Sequence, residues 1–136
     1  MLSPSVWVLT ALIAWALALI VLMEVMRTRL VVLGRVVTTA FRPDNANLSP
    51  FMQRLTRAHA NCLEGLPIFG GLLIVALVTD RGGLTDGLAW WLLAARILQS
   101  LIHLASTNVW AVNARFAAFA VQLGIAAYWV FLLLRG

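Results

Sequence analysis

The sequence predicts an all-α membrane protein, a bundle of four transmembrane helices. Apolar residues make up 62% of the chain and charged residues only 11%, whereas soluble domains are about half apolar and about a quarter charged. Mean hydropathy is +0.95. Four apolar runs are each long enough to cross a hydrocarbon core, which takes roughly 20 residues. A chain of 136 residues is one domain, and one small globule cannot hide this much apolar surface from water. Its outer surface therefore faces lipid.

The first span is expected over residues 5–30. "VWVLTALIAWALALIVLM" is uninterrupted, and Pro4 stands where a helix start tolerates proline. "MLSPSVW" lacks the charged region of a signal peptide, so this span is read as retained. Residues 31–49 make the one long connection, in which "FRPDNANLSP" reads as loop by its Pro, Asp and Asn content. The second span is expected over 50–79, with its polar residues in the first half. "DRGGLTDG" reads as a tight turn, the third span as 88–106, "TNVWAVN" as a short link and the fourth span as 114–134.

Charge placement orients the bundle. All ten basic residues are arginines, and the net charge is +5. Arg27, Arg29, Arg35, Arg42, Arg54 and Arg57 flank the first loop, and Arg115 follows the third, on the same side. The positive-inside rule puts loops 1 and 3 in the cytoplasm and both termini on the opposite side, with a bacterial inner membrane as the expected location. Arginines that flank spans point to membrane orientation and anionic ligands rather than to nucleic acid. A single cysteine, Cys62, cannot form a disulfide within the chain and is read as a packing residue. Two histidines on different helices do not make a metal site, and no phosphate loop or hydrolase triad is present.

Charges inside spans need a separate reason. At 100° per residue, Arg54, Arg57, Asn61 and Glu64 fall within a sector of about 80° on the second helix. His59 lies off that stripe. On the third helix Arg96, Ser100, His103 and Thr107 share a face bordered by Gln99, with Arg96 near mid-membrane. Arg115 and Gln122 share a face of the fourth. Glu24 with Arg27 reads as a local ion pair, and Glu64 with Arg96 as an interhelical one. Arg35, Arg42 and Arg54 read as interfacial topology signals. Tyr128 reads as part of an aromatic belt. Glu64 alone cannot neutralise Arg57, Arg96 and Arg115, and that surplus points to an anionic partner.

The stretch "RAHANCLEGLPIF", residues 57–69, resembles the second-helix signature of the MAPEG family, the membrane-associated proteins in eicosanoid and glutathione metabolism. Its pattern is Arg-Ala-x-x-Asn-x-x-Glu-x-x-Pro-x-Phe. "ARILQSLIH", residues 95–103, and Arg115 extend the likeness to the third and fourth helices. The resemblance implies a homotrimer with glutathione bound between subunits near the cytoplasmic face. It implies glutathione-binding roles for Arg57, Asn61, Glu64 and Arg96, and for Arg29 or Arg27 at the end of the first helix. Arg115 and His103 are the expected catalytic residues: Arg115 would stabilise the glutathione thiolate, and His103, standing where relatives often carry tyrosine, would replace the tyrosine's hydrogen bond. Two further departures are Phe119, at another frequent tyrosine position, and Gly65, aromatic in some members.

The function implied is a glutathione-dependent transferase or peroxidase acting on lipophilic electrophiles in the bilayer. The alternative is a non-catalytic membrane protein that holds an anionic lipid or metabolite on the same arginines. The expected partners are glutathione, a lipophilic small molecule, membrane lipid and further copies of the chain.

Overall fold

The computed structural model describes all 136 residues. Four long helices run α1 (Pro4–Val32), α2 (Pro50–Val78), α3 (Gly83–Ala105) and α4 (Val109–Leu134). A single 3₁₀ turn, Thr38–Ala40, lies in the long connection. At 1.5 Å per residue the helices are about 44, 44, 35 and 39 Å long, enough to cross a core of about 30 Å. All four have the length and hydropathy of membrane spans.

Local chemistry sets most of the ends. Ser3 and Ser49 cap α1 and α2 by accepting from the Val6 and Met52 N–H groups, and each cap is followed by a proline whose missing N–H costs nothing there. α1 closes on Gly34 at φ 69°. The Arg35 N–H returns to the Leu30 carbonyl at 3.0 Å and the Gly34 N–H to Val31 at 2.9 Å, the paired bonds of a glycine-terminated helix.

Two starts differ from the sequence expectation. α3 begins at Gly83 rather than near 88. Its first turn is held by α1: Asp86 Oδ1 accepts from the Ser5 N–H at 2.9 Å and from Ser5 Oγ at 2.6 Å. Asp86 also suits the positive end of the helix dipole. α4 begins at Val109 rather than near 114, because Asn108 Oδ1 caps it by accepting from the Ala111 N–H at 2.8 Å.

The packing divides into three regions. One core joins all four helices through Val8, Leu12, Phe69, Leu73, Leu92 and Trp129, among others. A second joins α1 to α2 through Ala16, Leu19, Met23, Met52, Leu55 and Cys62. Between α2, α3 and α4 lies a buried polar layer of Arg96, Gln99, Ser100, His103 and Gln122. Tyr128 is exposed, as are Trp90, Trp91 and Trp110, as expected of side chains in contact with lipid or its interface.

Several arginines hold the frame. Arg81 donates to the Leu132 and Leu133 carbonyls at 2.8 and 2.7 Å, satisfying the end of α4. Arg54 Nε donates to the Leu104 carbonyl at 2.8 Å near the end of α3. Arg27 pairs with Glu24 at 3.3 Å as expected, but its main engagement is with the loop. Its Nη2 donates to Asn45 Oδ1 at 2.6 Å and to the Arg42 carbonyl at 3.1 Å. Asn45, fully buried, spends its amide N–H on the Met52 carbonyl at 2.8 Å.

Candidate functional site

α2 and α4 start, and α3 ends, at the arginine-rich face of the bundle. Counting inward at 1.5 Å per residue, His103, Arg115 and Arg57 lie within about 10 Å of their helix ends, and Arg96, Asn61 and Glu64 about 14 to 21 Å deep. The sequence stripes thus converge on a common range of depths. Arg115, Arg57 and Arg54 all lie within electrostatic reach of the His103 ring.

Arg96 is the centre of the group. It is 3% exposed, with Nη1 donating to the Asn61 carbonyl at 3.1 Å and the guanidinium 5.4 Å from the Phe69 ring centroid. Its Nη2 is buried with no acceptor. A buried cation with an unused N–H group is costly unless something supplies the missing partner. The guanidinium fits because position 65 is glycine. A Cβ there would collide with Arg96 Nη2 and approach Phe69 Cε2 to 2.8 Å.

The expected Glu64–Arg96 ion pair does not form; Glu24–Arg27 is the one salt bridge. The guanidinium turns toward Gly65, Phe69 and the Asn61 carbonyl, and Glu64 stays exposed. Glu64 and Arg96 nevertheless line one cleft of about 290 Å³ with Asn61, Gln99 and Phe119.

Around this cleft the polar layer is tied together across helices. The Asn61 side-chain amide and His103 Nδ1 are hydrogen-bonded at 3.2 Å. His103 is 4% exposed and stands behind Asn61. Gln122 donates to Gln99 Oε1 at 2.9 Å. Cys62 Sγ lies 3.4 Å from Ser100 Oγ, buried in the α1–α2 core, consistent with a packing residue.

The remaining candidates sit apart. Arg57 is exposed and lines a small polar hollow with Arg54, Gln53 and Thr107. Arg115 is half-buried, its Nε without an acceptor, and does not line the Asn61–Arg96 cleft. Of the two arginines at the end of α1, Arg27 is consumed by Asn45 and Glu24. Arg29 is exposed and lines a separate groove with Arg35.

Sequence reasoning alone did not single out Phe69 and Gln99 as parts of this site, or explain Gly65. The available signal was Gly65 itself, because a glycine in mid-helix costs about 1 kcal/mol and usually marks a close approach.

The model of the family described as MAPEG family matches residues 5–135. No curated protein and no solved structure matches the chain.

Proposed function

Since the chain belongs to the MAPEG family, membrane proteins of eicosanoid and glutathione metabolism, we propose that it is a glutathione-dependent transferase or peroxidase of the membrane. Its second substrate would be a lipophilic electrophile drawn from the bilayer. The observation that carries this reading is the buried Arg96, whose Nη2 lacks an acceptor at the wall of a cleft shared with Asn61 and Glu64.

The residues fit glutathione, which has two carboxylates, one ammonium and one thiol. Arg96 offers a free N–H group, Arg57 a guanidinium without an acidic partner, and Glu64 a carboxylate without a cation. Glu64 would take the ammonium and the arginines the carboxylates, in the bidentate geometry that suits guanidinium. Asn61 is held for this by its bond to His103, so His103 acts as a positioning residue. Bound glutathione supplies a thiol nucleophile. Arg115 would hold the thiolate form by charge, as a nearby cation does for any thiol. The reading includes a homotrimer. It also includes a cytoplasmic placement of the arginine-rich face.

Calorimetric titration with glutathione tests the binding half. Saturable binding in the wild type, lost in Arg57→Ala and Arg96→Ala, is expected. Turnover of glutathione with 1-chloro-2,4-dinitrobenzene tests the chemistry, with a loss of about a hundredfold expected in Arg115→Ala. Equal rates in wild type and Arg115→Ala would remove the thiolate role.

One observation favours a second reading, a binding protein without catalysis. Phe119 puts a ring with no hydroxyl on the cleft wall. Saturable binding with no turnover of any electrophile would select it.

A further inference from the structure

The end of α1 and the approach to α2 enclose a groove of about 420 Å³ on the arginine-rich face. This groove is separate from the Asn61–Arg96 cleft. Its wall is apolar, built by Met26, Leu30, Leu48 and Met52, and its rim carries Arg29 and Arg35. The volume is within the range of small-molecule sites.

The sequence builds this rim by a specific device. Gly34 takes φ 69°, a left-handed turn that glycine adopts at little cost. That turn sends the Arg35 N–H back to the Leu30 carbonyl at 3.0 Å. Arg35 is thereby folded over the last turn of α1, where Arg29 already stands. A helix that simply ran on would carry residue 35 about 9 Å beyond Arg29 along the axis; the glycine turn instead keeps both guanidinium-bearing residues at one groove.

Charge and depth then identify an occupant. Neither Arg29 nor Arg35 has an acidic partner, since the one salt bridge is Arg27–Glu24. The Asp44 carboxylate accepts from the Ala46 N–H within its own loop. α1 is about 44 Å long and exceeds a core of about 30 Å, so its last turns reach the headgroup level. A small soluble anion would use the arginines and leave the apolar wall unused. A membrane lipid with a phosphate headgroup uses both.

We infer that this groove is a binding site for one anionic glycerophospholipid per protomer, with its phosphate on Arg29 and Arg35 and an acyl chain along Met26, Leu30, Leu48 and Met52. The inference is independent of the glutathione reading, since the site shares no residue with the Asn61–Arg96 cleft. It also gives Arg35 a role beyond topology.

Native mass spectrometry of the detergent-solubilised full chain tests it. Equimolar phosphatidylglycerol and phosphatidylcholine of identical acyl chains serve as probes. One phosphatidylglycerol per protomer should be retained in preference. Because a basic residue near an anionic lipid surface contributes on the order of 1 kcal/mol, Arg29→Gln and Arg35→Gln should each lower that preference about fivefold. Leu33→Glu sets a carboxylate on the groove from an exposed position and should abolish the preference without disturbing the fold. Arg42→Gln, outside the groove, should leave it unchanged. The inference fails if the Arg29→Gln/Arg35→Gln double variant keeps wild-type preference, or if Arg42→Gln lowers it equally. It also fails if glycerol phosphate or glutathione at millimolar concentration displaces the lipid, because the groove would then take a soluble anion.

Discussion

Gly65→Ala separates two forces of opposite sign. In an unconstrained helix the change stabilises by about 1 kcal/mol, because alanine is the better helix former. Here the added Cβ meets Arg96 Nη2 and the Phe69 ring. Both neighbours are almost fully buried, at 3% and 2% exposure, so neither can simply swing into solvent. The guanidinium must leave its bond to the Asn61 carbonyl, a charge-assisted bond contributing about 1.5 to 3 kcal/mol. It also loses its place over Phe69, which contributes about 0.5 to 2 kcal/mol. Against the propensity gain the net is a destabilisation of about 2 kcal/mol. Arg96 lines the cleft, so its displacement should also lower the glutathione affinity proposed above. Equilibrium unfolding in detergent and calorimetric titration read the two effects. A double-mutant cycle with Arg96→Ala isolates the contact, because without the guanidinium much of the penalty should vanish. A Gly65→Ala protein more stable than wild type, with unchanged ligand affinity, would refute the claim that glycine makes room for Arg96.

Other perturbations test the frame. Asn45→Ala removes the acceptor for Arg27 and the donor to the Met52 carbonyl and leaves alanine at φ 54°; a loss of about 3 kcal/mol and faster proteolysis of the first loop are expected. Arg81→Ala strips two carbonyls at the end of α4, and hydrogen exchange should quicken in the last turn with a stability loss of about 2 kcal/mol. Gln122→Leu should destabilise by about 1 to 2 kcal/mol by leaving Gln99 Oε1 unpaired, whereas Gln99→Leu/Gln122→Leu should recover most of that, as unfolding of the two variants will show.

Much of the fold was legible because the signals are local. Span existence follows from run length and hydropathy, and the polar stripes follow from helical period; both survive folding unchanged. The start of α4 was also written locally, in Asn108 three residues before Ala111, but two asparagines within seven residues read as a link. The start of α3 was not local, since the residue that holds Asp86 is Ser5, at the other end of the chain's first half. Arg27 and Glu24 were paired correctly by spacing, yet the stronger partner was Asn45, eighteen residues on. Opposite charges on facing stripes made Glu64 and Arg96 a natural pair, and only side-chain geometry sends the guanidinium elsewhere.

The sequence by itself determined that the protein lives in a membrane, that four helices cross it, and that arginines gather on one face. Each of these depends on hydrophobicity or on a period of 3.6 residues, properties that a single helix already has. Only the tertiary structure decided which arginines are engaged and which are free. Arg27, Arg54 and Arg81 serve carbonyls or loop amides, while Arg29, Arg35, Arg57 and one edge of Arg96 have no protein acceptor. That division depends on which backbone groups the packing leaves unpaired near each side chain, and in a low-dielectric interior those groups compete with carboxylates for every N–H.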